Sequence, residues 1–237
     1  PYTPHGMVKL GPDTTWSGVH PGFAHCGGYW YPDPEIRAFT HTHPAGIGVA
    51  DYGNIGFMPT FGFIDSSTRE LNYRSTFDHE TEVAEVGYYA VTLEETGIRG
   101  ALSALGRGGY HRYTFPQGDE ATLIIDPTIG VGGSESGDAY IEYGPEAGVV
   151  RGWQHYKGGL SNRFGGFVIY FYGELSRDMP YYGVWEDGQI QAGQLSAQGV
   201  DVGLARGFDA QEGDVVEARV GVSYLSMAQA ATNLDAD

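Results

Sequence analysis

The sequence predicts an all-β protein, a large antiparallel β-sandwich followed by a C-terminal helix. The chain of 237 residues contains 38 glycines, and 14% of its residues are aromatic. Short aromatic and β-branched runs recur about every 10–20 residues, separated by glycine turns, as is typical of many short strands. Because little helical pattern lies between these runs, they favour a sandwich over a βαβ fold.

Six runs illustrate the predicted strands, and each is bounded by residues that end a strand. Glycine turns separate several of them, Pro116 stops the third, and Asp126-Pro127 stops the fourth. The apolar run 167–172 predicts a central strand covered on both faces, whereas the alternation in 216–222 predicts one buried and one solvated face. The predicted strands are 87–93, 98–105, 110–115, 121–125, 167–172 and 216–222.

The last twelve residues differ from the rest. Ser226 and Gln229 have the spacing of a helix-capping box, and alanine-rich helix formers follow. No glycine or proline interrupts this pattern before Asp237. The sequence therefore predicts a β-sandwich domain over 1–225 and a helix over 226–237. Either this helix continues into a further domain or it is a frayed terminal helix.

The formal charge is −17, with 30 acidic residues against 13 lysines and arginines. Such a surface repels nucleic acid and anionic lipid, so neither is an expected partner. Either a solvated acidic coat or adaptation to high salt explains the charge. No apolar run reaches the length of a membrane span, and the single cysteine excludes an internal disulfide.

Segment 39–53, F-T-H-T-H-P-A-G-I-G-V-A-D-Y-G, is the strongest candidate site. If this segment is extended, His41 and His43 project from one face of a strand. A glycine-punctuated loop that carries Asp51 follows at once. The pair allows three readings: a metal site, hydrogen bonding to a sugar or an interface, or histidines with structural roles. Segment 78–82 lacks the second histidine of a zinc-protease motif.

Aromatic residues supply a second candidate. Trp30 and Tyr31 lie in G-G-Y-W-Y-P, where three consecutive rings cannot all point inward from an extended segment. Tryptophan and tyrosine faces stack on the C–H surfaces of sugars, and their polar tips bind hydroxyl groups. We therefore expect Trp30, Tyr31, His41, His43 and Asp51 to form one substrate-facing group.

Several segments, in order, resemble the N-terminal domain of glycoside hydrolase family 92, the calcium-dependent exo-acting α-mannosidases. The resemblance spans nearly the whole chain. It is carried by G-M-V-K-L-G-P-D-T (6–14), G-Y-W-Y (28–31), F-T-H-T-H-P-A-G-I-G (39–48), D-Y-G-N-I-G-F-M-P (51–59), H-E-T-E-V-A-E-V-G-Y-Y-A-V (79–91), G-Y-H-R-Y-T-F-P (109–116), I-I-D-P (124–127) and V-G-V-S-Y-L-S-M-A-Q-A-A-T-N-L (220–234).

The resemblance implies a supersandwich of the galactose-mutarotase type, joined by a linker helix to a catalytic (α/α)6 barrel that lies outside this chain. It implies an inverting exo-α-mannosidase in a periplasmic or secreted location. The catalytic carboxylates and most calcium ligands would lie in the barrel, with no catalytic residue in this chain. The expected partners are a mannose-containing glycan and the catalytic domain. The alternative is a stand-alone carbohydrate-binding module.

Overall fold

The computed structural model of the chain describes residues 1–15, 25–46, 48–62, 73–131, 137–144, 146 and 148–237. Seventeen strands lie within these ranges. They are β1 Gly11–Thr15, β2 Glu35–Thr40, β3 Gly56–Phe61, β4 Ser75–Thr76, β5 Val83–Glu85, β6 Tyr88–Thr92, β7 Arg99–Ala104, β8 Gly108–Phe115, β9 Gly118–Asp126, β10 Ala139–Tyr143, β11 Val149–Tyr156, β12 Phe167–Leu175, β13 Tyr181–Glu186, β14 Gln189–Ala192, β15 Ser196–Gly199, β16 Val202–Ala210 and β17 Asp214–Ser223.

The strands form two antiparallel sheets. The first has eight strands in the order β1-β2-β3-β9-β16-β13-β14, with β4 also paired to β2. The second has nine strands in the order β15-β10-β11-β12-β17-β8-β7-β6-β5. The predicted all-β sandwich is therefore confirmed.

The core lies between the two sheets. Its members share alternating positions along the strands, because successive side chains of a strand point to opposite faces. The largest fully buried side chains include Phe39, Phe57, Tyr113, Phe115 and Phe171. No helix in the described ranges has the length and hydrophobicity needed to cross a bilayer.

All six predicted strands are present, within a few residues of their predicted bounds. The prediction that 167–172 is covered on both faces is only half correct. Ile169 and Phe171 are buried, whereas Val168, Tyr170 and Tyr172 are half-buried. These three residues face outward, where the C-terminal helix packs on β12 and β17 and shields them in part.

The C-terminal helix α1 (Met227–Asp235) begins where the sequence predicts. The N–H of Gln229 donates to the Ser226 side chain over 3.0 Å, which satisfies one of the free donors of the first turn. Gly221 on β17 lies beneath the helix, and a Cβ there would clash with Ala230 and Leu234. That glycine lets the helix lie directly on the outer face of the nine-stranded sheet.

Strand β1 is an edge strand of the eight-stranded sheet, and its pairing with β2 shifts between Asp13 and Thr14. A bulge of this kind re-aims neighbouring side chains. Asp13 and Thr14 are both fully buried as a result, although they are consecutive. This irregularity positions the first part of the candidate site.

Candidate functional site

Residues 25–34, here called the aromatic loop, run alongside β1 and present two exposed rings. Trp30 is 43% exposed and Tyr31 is 64% exposed. The loop is attached to β1 through Thr14, whose hydroxyl accepts the Trp30 N–H over 2.8 Å and donates to Asp33 over 2.9 Å. His25 Nε2 also contacts the Asp33 carboxylate. The rings are therefore exposed on a firmly held backbone.

Tyr31 stacks on His79, with ring centroids 4.0 Å apart and ring planes inclined by 12°. His79 belongs to a short 3-10 helix, His79–Thr81, between β4 and β5. Its Nδ1 lies 2.5 Å from the Glu82 carboxylate, to which it donates. The stack extends the exposed aromatic surface of the loop.

The Glu82 carboxylate links this stack to two further tyrosines by hydrogen bonds. Its carboxylate also accepts hydrogen bonds from the hydroxyls of Tyr29, over 3.0 Å, and Tyr89, over 2.5 Å. Burial and the neighbouring Glu82 charge raise the pKa of both tyrosines, so both remain hydrogen-bond donors. With three donors around it, Glu82 is a positioning group for Tyr31 and His79.

His79 and Glu82 were not among the predicted site residues. Their signal was present, since segment 78–82 concentrates polar and ionisable side chains. The sequence alone did not show that the pairing of β4 with β2 brings this segment to the aromatic loop.

His43 lies in a buried polar cluster beneath the aromatic loop. Its Nε2 is 2.6 Å from Asp13 and its Nδ1 is 2.8 Å from the Lys9 carbonyl oxygen. Thr40 donates to the other oxygen of Asp13 over 3.0 Å. Gly28 covers this cluster at φ +88°, and a Cβ there would clash with Asp13 and His43. His43 thus packs directly beneath Gly28 of the aromatic loop and does not face solvent.

The expectation that His41 lines a substrate-facing surface does not fit its position. Strand β2 ends at Thr40, so the alternation expected of an extended strand does not apply to the two histidines. The His41 side chain turns into the core and is fully buried. Its Nδ1 donates to the Ile55 carbonyl oxygen over 2.7 Å.

His41 forms a buried chain of hydrogen bonds with the nine-stranded sheet. Since His41 Nδ1 carries a proton, its Nε2 accepts from His111 Nε2 over 2.9 Å. The Tyr113 hydroxyl then donates to His111 Nδ1 over 2.7 Å. Burial lowers the pKa of His41 to about 4 and lowers that of His111 well below its ordinary value. Both rings are therefore neutral at neutral pH, and they connect the two sheets.

Asp51 is buried and connects two loops. Its carboxylate accepts the N–H groups of Tyr52 over 2.9 Å, Leu160 over 2.9 Å and Ser161 over 2.6 Å, together with the Ser161 hydroxyl over 3.0 Å. Ser161–Phe164 is a short 3-10 helix. Asp51 therefore fixes residues 157–166 against its own loop.

The backbone that follows Asp51 is strained. Tyr52 has φ 67° and Ile55 has φ 61°, values that are unfavourable for residues with a Cβ and most of all for a β-branched one. Such conformations persist only where the surroundings enforce them, and they concentrate at functional sites. Two hydrogen bonds hold these conformations: the Tyr52 N–H donates to Asp51, and His41 Nδ1 donates to the Ile55 carbonyl oxygen.

The described residues do not fit a calcium site. They include no group of three or more histidine, cysteine or acidic side chains placed to hold a metal ion. Calcium takes six to eight oxygen ligands, and the carboxylates of Asp13, Asp51 and Glu82 already accept hydrogen bonds. The ring nitrogens of His41 and His43 are likewise engaged.

Comparison with known families identifies the chain. The family profile described as "Glycosyl hydrolase family 92 N-terminal domain" matches residues 1–223. This chain belongs to glycosyl hydrolase family 92. The family 92 domain has no match among curated proteins. The predicted family resemblance is thus confirmed.

Solved structures agree with this membership. The domain is similar to a family GH92 α-mannosidase from Bacteroides thetaiotaomicron, with a TM-score of 0.86 and 23% identity over 98% of this chain and 32% of that one. It is similar to a GH92 inverting mannosidase from the same organism, with a TM-score of 0.81 and 26% identity over 98% of this chain and 29% of that one. The family 92 domain thus spans about a third of the length of these proteins.

Proposed function

We propose that this chain is the N-terminal, pocket-shaping domain of an inverting exo-α-mannosidase that acts on terminal α-mannose of glycans. The observation that carries the proposal is membership of the family over 1–223, joined with 26% identity to an inverting mannosidase along 98% of the chain. We assign the sandwich to 1–225 and the start of a linker helix to 226–237. A periplasmic or secreted location follows from an extracellular glycan substrate.

The aromatic loop is the proposed sugar-contacting part of this domain. Trp30 and Tyr31 expose ring faces, which stack well on the C–H surface of a pyranose. A relative of the same family was solved in complex with mannoimidazole, which supports a mannose-like ring as the ligand. His43 and Asp51 act as positioning residues beneath these loops. His41, which is fully buried, supports the pocket only through the core.

The reacting carboxylates of the proposed enzyme lie in its catalytic domain. Inversion needs one carboxyl group as acid and another as base, about 6.5–9.5 Å apart on opposite faces of the sugar. Asp13, Asp51 and Glu82 are each committed to several hydrogen bonds. Calcium, which the family resemblance implies, is also assigned to the catalytic domain, because the described residues here do not fit it.

An apolar surface at one end of the sandwich is the proposed contact with the catalytic domain. It is here called the end patch, and its members lie on the loops at the His41 end of the sheets. Asp51 and the rings of Tyr52 and Phe167 tie these loops together. Its exposed side chains are Val49, Leu160, Phe164, Tyr224 and Leu225.

The second candidate function is a stand-alone carbohydrate-binding module. It is favoured by the exposure of Trp30 and Tyr31 on the chain itself. Calorimetric titration with mannose separates the two functions, since a module binds the sugar at millimolar or lower concentration without a catalytic domain. A pocket wall alone supplies too few contacts for that affinity.

The purified 237-residue chain is expected to release no mannose from an α-mannobioside, because we assign the acid–base pair of carboxylates to the catalytic domain. Free mannose is measured over many hours by a coupled assay. An intact relative that contains the catalytic domain serves as the positive control. Enzyme-dependent release by the chain alone would contradict the proposal.

Within the intact enzyme, Trp30→Ala and Tyr31→Ala are each expected to lower kcat/KM about tenfold, or about 1.4 kcal/mol of transition-state stabilisation. The physical reason is the loss of a stacking surface in the sugar pocket. The matched control is Tyr181→Ala, since Tyr181 is also exposed but lies on β13. Unchanged kcat/KM in both loop variants would show that the aromatic loop does not contact the sugar.

A further inference from the structure

Two cavities meet at one exposed tyrosine on the outside of the nine-stranded sheet. Tyr88, which is 39% exposed, borders both of them. One, of about 320 Å³, lies over strands β6, β7, β8 and β17. The other, of about 430 Å³, lies between the β5–β6 hairpin and the N-terminal residues that include Tyr2 and Lys9. The two cavities share Tyr88 as a lining residue and are here called, together, the outer cleft.

Strand register places two tyrosines across the floor of the outer cleft. Tyr88 pairs with Ser103, Ser103 pairs with Tyr110, and Tyr110 pairs with Arg219. Laterally paired residues point to the same face, and adjacent strands lie about 4.8 Å apart, so the backbones of Tyr88 and Tyr110 are about 10 Å apart. The small side chain of Ser103 lies between them, and Ala101 lies two residues further along β7 on the same face. The small Ser103 side chain leaves a recess between the two tyrosines, and the Tyr110 ring leans along β8 over Gly108.

The rim of the recess is polar. Arg112 forms an ion pair with Glu217, and Arg219 forms one with Glu174 over 3.3 Å. All four side chains are at least one-third exposed. Their N–H donors and carboxylate acceptors lie beside aromatic walls, which is the combination that binds the hydroxyls and the C–H face of a sugar together.

The charge of the chain limits the choice of ligand. A protein with a net charge of −17 repels nucleic acid and anionic membranes. Each arginine on the rim is paired with a carboxylate, so the rim offers hydrogen bonds without excess positive charge. A neutral, hydroxyl-rich ligand fits these conditions, and two neighbouring cavities offer room for more than one linked unit.

The outer cleft is separate from the aromatic loop. Tyr88 and Tyr89 are consecutive residues of β6, so their side chains point to opposite faces. Tyr89 points inward and binds Glu82, which holds the stack under Tyr31. Tyr88 points outward into the cleft. Helix α1 covers β17, β12 and β11 on the same face and leaves the tyrosine row open.

We propose that the outer cleft is a second carbohydrate site, which binds pyranose units of a glycan chain between Tyr88 and Tyr110, away from the pocket that the aromatic loop forms. Such a site retains a polymeric glycan on the protein while its terminal sugar is in the pocket. The binding itself does not depend on the proposed mannosidase reaction.

Affinity electrophoresis of the 237-residue chain in gels containing soluble α-mannan tests this proposal. The wild-type chain is expected to be retarded. Tyr88→Ala and Tyr110→Ala are each expected to weaken binding at least about fivefold, since aromatic stacking on one ring contributes about 1 kcal/mol. Ala101→Gln, which adds a larger side chain to the lining of the 320 Å³ cavity without removing a ring, is expected to do the same. Tyr181→Ala is the control for loss of an exposed tyrosine elsewhere, and circular dichroism checks that each variant is folded.

Two results would overturn the proposal. One is absence of retardation of the wild-type chain at the highest mannan concentration. The other is retardation that Trp30→Ala abolishes and the three cleft variants leave unchanged, which would assign binding to the pocket. The proposed mannosidase function is judged separately by mannose release from a short substrate, where Tyr88→Ala in the intact enzyme is expected to leave kcat/KM unchanged.

Discussion

Lowering the pH from 7 to 5 is expected to reduce the free energy of unfolding by about 2 kcal/mol through His41 alone. The pKa of His41 is about 4 in the folded protein, where burial disfavours the imidazolium, and about 6.5 in the unfolded chain. Below pH 6.5 the unfolded chain therefore binds a proton that the folded protein does not. This stability is fully present above pH 6.5 and is lost as the pH falls towards 4. Burial of His111 acts in the same direction.

Urea unfolding at half-unit pH steps between 5 and 7 measures this dependence. The double variant His41→Leu/His111→Phe removes both titrating rings. Its unfolding free energy is expected to fall less per pH unit than that of the wild type. The control is His5→Asn. His5 is exposed, and its φ of 63° suits asparagine. The unfolding free energy of His5→Asn should therefore change with pH as that of the wild type does. Equal slopes in the double variant and the wild type would show that the histidine pair does not exclude protons.

Asp51→Ala is expected to reduce the free energy of unfolding by about 3 kcal/mol. The substitution removes the acceptor of the N–H groups of Tyr52, Leu160 and Ser161. These hydrogen bonds are half-buried, and each is expected to contribute about 1 kcal/mol. For a chain of this size, that loss corresponds to a fall in Tm of roughly 6–12 °C. Because Asp51 joins two loops, the intact enzyme is also expected to lose activity below the unfolding temperature.

Differential scanning calorimetry of the chain measures this effect. Asp119→Ala on β9 is the matched control, because Asp119 is an exposed carboxylate. Asp119→Ala is expected to change Tm by less than about 2 °C, as is usual for surface positions. If the Tm of Asp51→Ala lies within about 2 °C of the wild-type Tm, the four hydrogen bonds of Asp51 do not hold the two loops together.

Local sequence patterns were sufficient to predict the C-terminal helix and six of the seventeen strands in the described ranges. Pro116 ends β8, and the Ser226 capping box begins α1, because both signals act on neighbouring backbone. Family membership also followed from motifs in a fixed order. A shared substrate-facing role for Trp30, Tyr31, His41, His43 and Asp51 stays a prediction. Of these residues, Trp30 and Tyr31 are exposed.

The directions of the buried side chains were not predictable from the sequence. His41 turns inward because its partner, His111, lies 70 residues away on the other sheet. The role of Glu82 depends on Tyr29, which is 53 residues distant, and on the pairing of β4 with β2. Such contacts follow from sheet packing, which no local pattern encodes.

The bulge in β1 has a consequence for solubility. A regular, uncovered border strand is a template on which a second molecule can assemble by strand addition. In β1 the register shift between Asp13 and Thr14 breaks that template. The N–H of Thr14 is also occupied by the carbonyl oxygen of Gly28, over 3.0 Å. The edge of the sheet beside the exposed rings of Trp30 and Tyr31 is thereby protected from intermolecular β-aggregation.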